Sequence, residues 1–530
     1  MRLATVDLVM LVLYGIGIFA LAQWVSRERA GHQKDSADYF LASKSLPWWA
    51  IGTSLIAANI SAEQIVGMSG SGYAIGLAIA SYEWMAAATL LIVGKYFLPI
   101  FLANQIYTMP QFLEQRYGRV LPVLMALFWL ALYVFVNLTS IIWLGSIAVN
   151  SVTGLDQDTA LIVLAAFALF YQLYGGLKAV ALTDVVQVTL LVLGGLVIAY
   201  LTLDQISGGG GPLAGFALLM RRVPDHFDMI LSPNSPYYRD LPGIGVLVGG
   251  MWVANLSYWG FNQYIIQRAL AARDLGEAQK GVVFAAYLKL LMPVIIVLPG
   301  IAAVVLAPGL AKPDQAYPTM MRLLPPGLLG LVFAALVAAI IASTASKINS
   351  IATIFTLDLY AKARGIRSRA EAGEGGGREK HLVLVGRITA TVAVLLALLT
   401  ARPLLGQSDQ AFQFIQEFSG FFTPGITVIF LLGLFWKRAS EAGAIVAAIA
   451  SVLLSYAFKA ALPDLPFLNR MAIVFLLALG LAVIVSLIRP AGREANRVAM
   501  AGVSFRTPPV FNVAGLGVVL ILIALYASFW

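Results

Sequence analysis

The stretch "SLIAANISAEQIVGMSG" (54–70) lies inside an apolar run of more than twenty residues, yet carries Asn59, Ser61, Glu63 and Gln64 at its centre. A helix crosses lipid because it satisfies its own backbone hydrogen bonds. A break is tolerated only where protein or a water-filled cavity replaces lipid. Asn59 and Ser61 compete for backbone groups and weaken a helix locally, while Ala57, Ala58 and Ala62 let neighbouring backbones come close. The pattern predicts an interrupted helix whose polar side chains face a cavity. An intact helix with packing amides and hydroxyls, on a small-residue face that includes Gly72 and Gly76, is the alternative on this stretch alone.

A second stretch has the same character. "MWVANLSYWGFNQYII" (251–266) places Asn255, Ser257, Gly260 and Asn262 within eight residues of a hydrophobic segment. The chain has 530 residues, 60% hydrophobic and 12% charged, against roughly 25% charged in soluble domains. Apolar runs of about twenty residues recur from end to end, the mark of a polytopic membrane protein. They begin near residues 5, 47, 76, 120, 159, 180, 244, 278, 327, 382, 410, 441, 470 and 510, about fourteen spans in all. The two polar-interrupted spans are the second and the seventh. Units of five helices starting at each must lie in opposite orientations, because five is odd. Paired interrupted segments in inverted halves point to a transporter's central site. The expected fold is all-α, in one domain covering 1–530.

The first run, 5–26, is read as an uncleaved helix, since Asp7 interrupts its basic start and Arg27 and Arg29 follow it; "ALA" at 20–22 is the competing signal-peptide feature. The net charge is +9 and the basic residues sit in alternate loops, among them Arg116 and Arg119, Lys178, Lys437–Arg438 and the tract 361–381. The positive-inside rule puts those loops in the cytoplasm and both termini outside, in a cell (inner or plasma) membrane. Tract 361–381 reads as a mobile linker. There is no cysteine, and the three histidines lie in polar stretches, which leaves no thiol chemistry and little for a histidine mechanism. Walker, nucleophile-elbow and kinase motifs are missing. An enzyme or a nucleic-acid binder is not the expectation.

Ionisable residues inside the spans sharpen the site. Glu63 lies mid-span, Glu83 about two turns into span three, and Lys289 similarly deep in span eight. Each costs about 2.5–3.5 kcal/mol at the bilayer centre, so such groups face a cavity or each other. A structural Glu–Lys pair would serve one acid and leave the other carboxylate needing a partner. Gln413, Gln416 and Glu417 head span eleven. With the aromatics Tyr82, Trp84, Tyr258, Trp259 and Phe412, this is the kit for a neutral polyol: carboxylates and amides for hydroxyls, a ring face for C–H surface. A hard coupling ion needs oxygens. An unwound span two offers carbonyls, and "VFAALVAAIIASTASKINS" (332–350) supplies Ser343, Thr344 and Ser346. Such hydroxyls also bond back to their own helix.

At these residues the chain resembles the sodium:solute symporter family, in particular the sodium/glucose cotransporter branch and its bacterial galactose-type members. The blocks that carry the resemblance are "DYFLASKSLPWWAIGTSLIAANISAEQ", "SGSGYAIGLAIASYEW", "YGGLKAVALTDVVQ", "WVANLSYWGFNQYIIQR", "ATIFTLDLY" and "LLGLFWKR". The resemblance implies a LeuT-like inverted five-plus-five core with broken first helices. One extra helix (5–26) precedes repeats over 47–203 and 244–436, and three helices follow over 441–530. It implies sodium-coupled symport of a galactose- or glucose-type monosaccharide by alternating access. Sugar contacts would come from Gln64, Glu83, Asn255 and Lys289, with Gln416 at the edge and Asn59, Glu63 and Asn262 nearby. Tyr258 would be the inner gate, and Met68, Tyr82 and Phe412 the outer lid. The sodium ion would be held by the carbonyls of Ala57, Ile60 and Ala339 and the hydroxyl of Ser343. Asp184, opening span six, matches an acid tied to ion coupling in relatives, or is a helix N-cap. Ala342 stands where the pattern has a second hydroxyl ligand, for which water or Thr344 would compensate. Ala86 stands where the galactose type has Ser. Another small solute (myo-inositol, an amino acid, a carboxylate), a proton in place of sodium, or a solute sensor are the alternatives.

Overall fold

The computed structural model describes residues 3–26, 46–106, 108–174, 177–365, 376–408, 410–490, 498, 500 and 502–530, with side chains excluded at 19, 21–26, 173–174, 177–184 and 376–380. The expected linker 361–381 and the basic residues 27–44 lie largely or wholly outside these. Among the described residues the structure is helical, with no strand beyond one isolated bridge, Leu46 to Ala272.

Helices stand at every expected span. They are α1 (Thr5–Ser26), α2a (Trp48–Asn59) with α2b (a π-helical turn Glu63–Met68, then Ser69–Ala74), and α3 (Leu77–Ala103). Next come α4 (Val120–Thr153), α5 (Gln157–Tyr174), α6 (Leu177–Ser207), α7a (Gly250–Phe261) and α7b (Gln263–Leu270). Then follow α8 (Leu275–Leu306), α9 (Leu328–Ala361), α10 (Gly376–Leu405), α11a (Ala411–Ser419) and α11b (Thr423–Phe435). The last three are α12 (Glu441–Ala461), α13 (Phe467–Ile488) and α14 (Pro509–Ser528). By length and apolarity nine of the described helices can cross a membrane, ten if the bent pair in α11 is one span. α1 and α5 count only as shorter apolar helices, and α2 and α7 are interrupted.

The two expected interruptions are present. α2 breaks at Ile60, whose backbone is extended (φ −68°, ψ 116°), and α7 breaks at Asn262 in nearly the same conformation (φ −84°, ψ 118°). The Ser61 hydroxyl accepts the Glu63 backbone N–H at 3.2 Å, so it re-caps the chain after the first break. A third interruption was not expected: α11 bends by 48° between its halves, at the Gly420–Pro424 corner.

Two arrays organise the core. One packs α2 and α3 on α8, with α7a on α3, and the other packs α4, α5, α9 and α10, with α6 against both. α2a and α8 meet backbone to backbone at Gly52, where an added Cβ would lie 2.8 Å from the Gly281 carbonyl. Such close approach through small residues is how helices associate in lipid. α12–α14 and one face of α10 expose large apolar side chains such as Leu399, Leu453, Ile488 and Val513, as a lipid-facing shell requires. Asp7 docks α1 onto α9: its Oδ1 accepts the backbone N–H groups of Gly327 (2.7 Å) and Gly330 (2.8 Å) at the positive end of that helix. The loop between α6 and α7 folds over the end of α2b. There Gly76, at φ +99°, lies so close to the His226 backbone that no Cβ fits.

Two residues read from sequence as loop features have other places. Arg116 is fully buried and donates to the carbonyls of Gly433, Trp436 and Ala439, neutralising the C-terminal end of α11b. Asp184 is not an N-cap, because α6 begins at Leu177 and the acid lies about two turns inside. Its side chain is outside the described set.

Candidate functional site

The breaks in α2 and α7 face one cavity of about 140 Å³. Of the expected sugar contacts, Gln64, Glu83, Asn255, Lys289, Gln416 and Tyr258 all line it, as do Asn59, Glu63 and Asn262. Tyr82 and Phe412, expected in the lid, line it as well, their rings packed edge to face at 5.1 Å. Met68 does not line it and is fully buried. Trp84 turns from the cavity and donates its indole N–H to the Leu290 carbonyl at 3.3 Å.

Lys289 is the hub. It is 1% exposed and donates to Glu83 Oε2 at 2.5 Å and to Asn59 Oδ1. The face of Trp259 lies 5.0 Å from its ammonium. The Glu–Lys pair therefore does pin α3 to α8, and it does so on the cavity wall. A buried pair of this kind is held by its additional hydrogen bonds, since mutual attraction alone barely offsets desolvation. The Asn59 amide passes the network on by donating to the Tyr258 hydroxyl at 3.0 Å, and that hydroxyl meets Tyr264 OH at 2.6 Å. A continuous polar chain thus joins α2, α3, α7 and α8, the four helices of one array.

Glu63, the acid that needed another partner, accepts from Ser140 Oγ on α4 and is opposed by the charge of Lys347 on α9. Lys347 was missed in the sequence, where only the hydroxyls around it drew attention. Asn137, which also lines the cavity, was missed too: a lone Asn in an apolar span carries no signal of where it points. Gln64 Oε1 and Tyr82 OH are buried without a hydrogen-bond partner. Buried polar atoms are nearly always paired, so these unmet groups on the cavity wall are suited to a polar ligand. Ala86 lines the cavity as expected from its position.

The four expected sodium ligands lie on two elements. Ala57 and Ile60 flank the α2 break. α2a ends at Asn59, and a helix end leaves its last carbonyls without intrahelical partners. Ala339 and Ser343 lie on α9, which packs mainly on α1, α4, α5, α6 and α10, with α2a and α9 sharing at most marginal contact. Thr344 does not offer itself as the compensating ligand, since its hydroxyl is fully buried and donates back to Ile340 O at 2.6 Å. Among the described residues no group of three or more His, Cys, Asp or Glu is placed to hold a metal ion.

Outside the spans, Asp314 sits in the loop before α9, fully buried against Gly70 of α2b. Its Oδ2 accepts the Ala411 N–H at 3.3 Å, while Oδ1 has no partner. Lys312 turns away to the Gly406 carbonyl. Burial pushes the Asp314 carboxyl up to about 7, against the lowering effect of the Ala411 N–H and Lys312.

Comparison with known proteins places this architecture. The sodium:solute symporter family profile matches residues 39–451. The chain is 48% identical to a sodium/glucose cotransporter of Vibrio parahaemolyticus, over 100% of its own length and 99% of the relative's. It is 34% identical to sodium/myo-inositol cotransporter 2 of Homo sapiens, over 84% of the chain and 69% of that protein. Among solved structures, a Na+-coupled sialic acid symporter, substrate-bound and outward-open, aligns with a TM-score of 0.75 at 22% identity, covering 92% of this chain and 99% of that one. Mhp1, a nucleobase-cation-symport-1 family transporter in a closed conformation, aligns at 0.54 and 13% identity, covering 88% and 99%. These likenesses show the LeuT-like transporter fold. The chain belongs to the sodium:solute symporter family.

Proposed function

We propose that this protein is a sodium-coupled symporter of a glucose- or galactose-type monosaccharide. It crosses the membrane fourteen times with both termini outside, one helix before two inverted five-helix repeats (47–203 and 244–436) and three after. The observation that carries the reading is the Glu83–Lys289–Asn59 network beside the unpartnered Gln64 and the Trp259 face. It offers charged and amide groups for hydroxyls and an aromatic face for a ring, and Lys289, the one cation among the described residues lining the cavity, is already paired with Glu83. The sodium/glucose cotransporter at 48% identity over the whole chain supports the same solute class.

Sodium is the second substrate. Ala57 and Ile60 carbonyls on one array, and the Ala339 carbonyl with Ser343 hydroxyl on the other, form its cage when the arrays approach. The ion thereby assembles the sugar site. With Phe412 and Met68 buried, the structure fits an outer-closed state. Asp184 is kept as a candidate for ion coupling. The driving force is adequate: about 2.3 kcal/mol per charge at 100 mV and about 1.4 for a tenfold gradient. Together they sustain on the order of 500-fold accumulation.

Uptake of labelled glucose, galactose and myo-inositol into proteoliposomes, with inward sodium and with choline, tests the reading. Sodium-dependent hexose uptake is expected. Equal uptake in choline removes sodium coupling, and accumulation of myo-inositol alone replaces the sugar.

A further inference from the structure

Lys347 lies within α9, 6% exposed, on the same face and one turn beyond Ser343. A charge buried in a span is costly and persists where it has partners. Its partners here are aromatic faces. The ammonium is 3.5 Å from the centre of the Tyr264 ring and 4.9 Å from that of Tyr133. Among the described residues Glu63 is the one opposite charge that acts on it, and that carboxylate is already engaged by Ser140.

The two rings are not free to move. Tyr264 OH meets the gate residue Tyr258 at 2.6 Å, and Tyr258 is in turn held by Asn59 at 3.0 Å. Tyr133 OH donates to Asn262 Oδ1, the residue at the α7 break, at 3.2 Å. Both hydroxyls thus touch α7, one at Tyr258 and one at the break. Tyr133 and Lys347 belong to the α4/α9 array, whereas Tyr264 continues α7 of the other. The cation–ring contact between Lys347 and Tyr264 crosses the seam along which the arrays must separate.

We propose that Lys347 is a positioning residue that latches the two arrays: its ammonium, held against Tyr264 and Tyr133, keeps Tyr258 across the cavity until α9 moves. Breaking the latch separates Lys347 from the Tyr264 face and frees Tyr258, so motion of the helix bearing Ser343 is transmitted to the gate. The latch rests on the reading of the protein as a transporter. Its test needs no substrate, so failure of the latch and failure of sugar uptake are read separately.

The chain has no cysteine, so a single Ala254→Cys on the cavity wall reports gate opening by its rate of reaction with a water-soluble maleimide in purified protein. In that background Lys347→Met is expected to react about tenfold faster, and Lys347→Arg, which keeps a cation over the rings, within about twofold of the parent. Tyr264→Phe, which keeps the ring but loses the hydroxyl, also accelerates labelling. Combined with Lys347→Met it adds nothing beyond the larger single effect, because both open one latch. A parental rate in Lys347→Met, or effects that multiply, overturns the proposal. Should Lys347→Met not fold, Tyr264→Leu carries the test alone, and a parental rate there is equally fatal.

Discussion

The two broken helices use one backbone device for two jobs. Ile60 and Asn262 leave the helix at almost the same angles, ψ 116° and ψ 118°, and both breaks open onto one cavity. After Ile60 the chain resumes as a π-helical turn, which widens the helix and brings Glu63 and Gln64 to the cavity. After Asn262 it resumes as the short helix Gln263–Leu270, whose side chains bind protein. There Gln263 accepts from Met109 N–H at 2.6 Å, Arg268 donates to Ser54 Oγ at 2.9 Å, and Tyr264 holds Tyr258. The first break turns polar side chains to the cavity and the second fastens helices. The helix that resumes after a break, more than the break itself, decides its use.

The sharpest way to break this contrast is to damage the binding side alone. Glu83→Ala leaves Lys289 buried with only Asn59, so solute exchange in a counterflow assay is expected to fall by more than about 100-fold while the protein stays folded. Exchange near the parental rate would take Glu83 out of the site.

Asp314, packed on the far half of the first broken helix, gives a test by pH. Its folded value is about 7, raised from the ordinary 3.8, so the folded chain holds a proton that the unfolded chain releases. The resulting stabilisation is fully present below pH 3.8, is lost progressively as pH rises through the window to about 7, and is gone above it. The slope in that window is at most about 1.4 kcal/mol per pH unit. Thermal unfolding followed by tryptophan fluorescence should show a melting temperature that falls between pH 5 and 7 and flattens in Asp314→Asn. A variant that keeps the full slope would assign it elsewhere.

Smaller effects sharpen the division. Ser343→Ala is expected to weaken apparent sodium affinity about tenfold, and Ala342→Ser, which restores a hydroxyl, to strengthen it a few-fold; the sodium dependence of uptake measures both. No change in the second would mean that position 342 faces away from the ion. On the fastening side, Gln263→Ala removes the acceptor for Met109 N–H and should cost about 1 kcal/mol of stability without altering solute affinity. Loss of affinity there would erase the contrast.

Much of this was legible because polar residues in an apolar run have so few explanations. Asn59, Glu63 and Gln64 announced the first break, and Asn255 to Asn262 the second. Glu83 and Lys289 announced the site, since neither could face lipid. The rest was hidden by residues with ordinary alternatives. The bend at Gly420–Pro424 lay inside a run read as one span from residue 410, Trp84 looked like any cavity aromatic, and Arg116 looked like a loop charge until it was seen capping α11b. Lys347 was masked by the serines and threonines around it, and its meaning depends on rings from α4 and α7b that sequence alone does not bring near. The four proposed sodium ligands lie at the α2 break and on α9, and no local pattern encodes how near those two come.

The central claim is that the Lys289 network forms a solute site assembled by sodium. Equilibrium binding of labelled glucose to purified protein, in sodium and in equimolar choline, tests it most directly. The account predicts saturable binding in sodium that drops at least about tenfold in choline and disappears in Glu83→Ala. Binding of equal strength in both salts, or retained in Glu83→Ala, would contradict it.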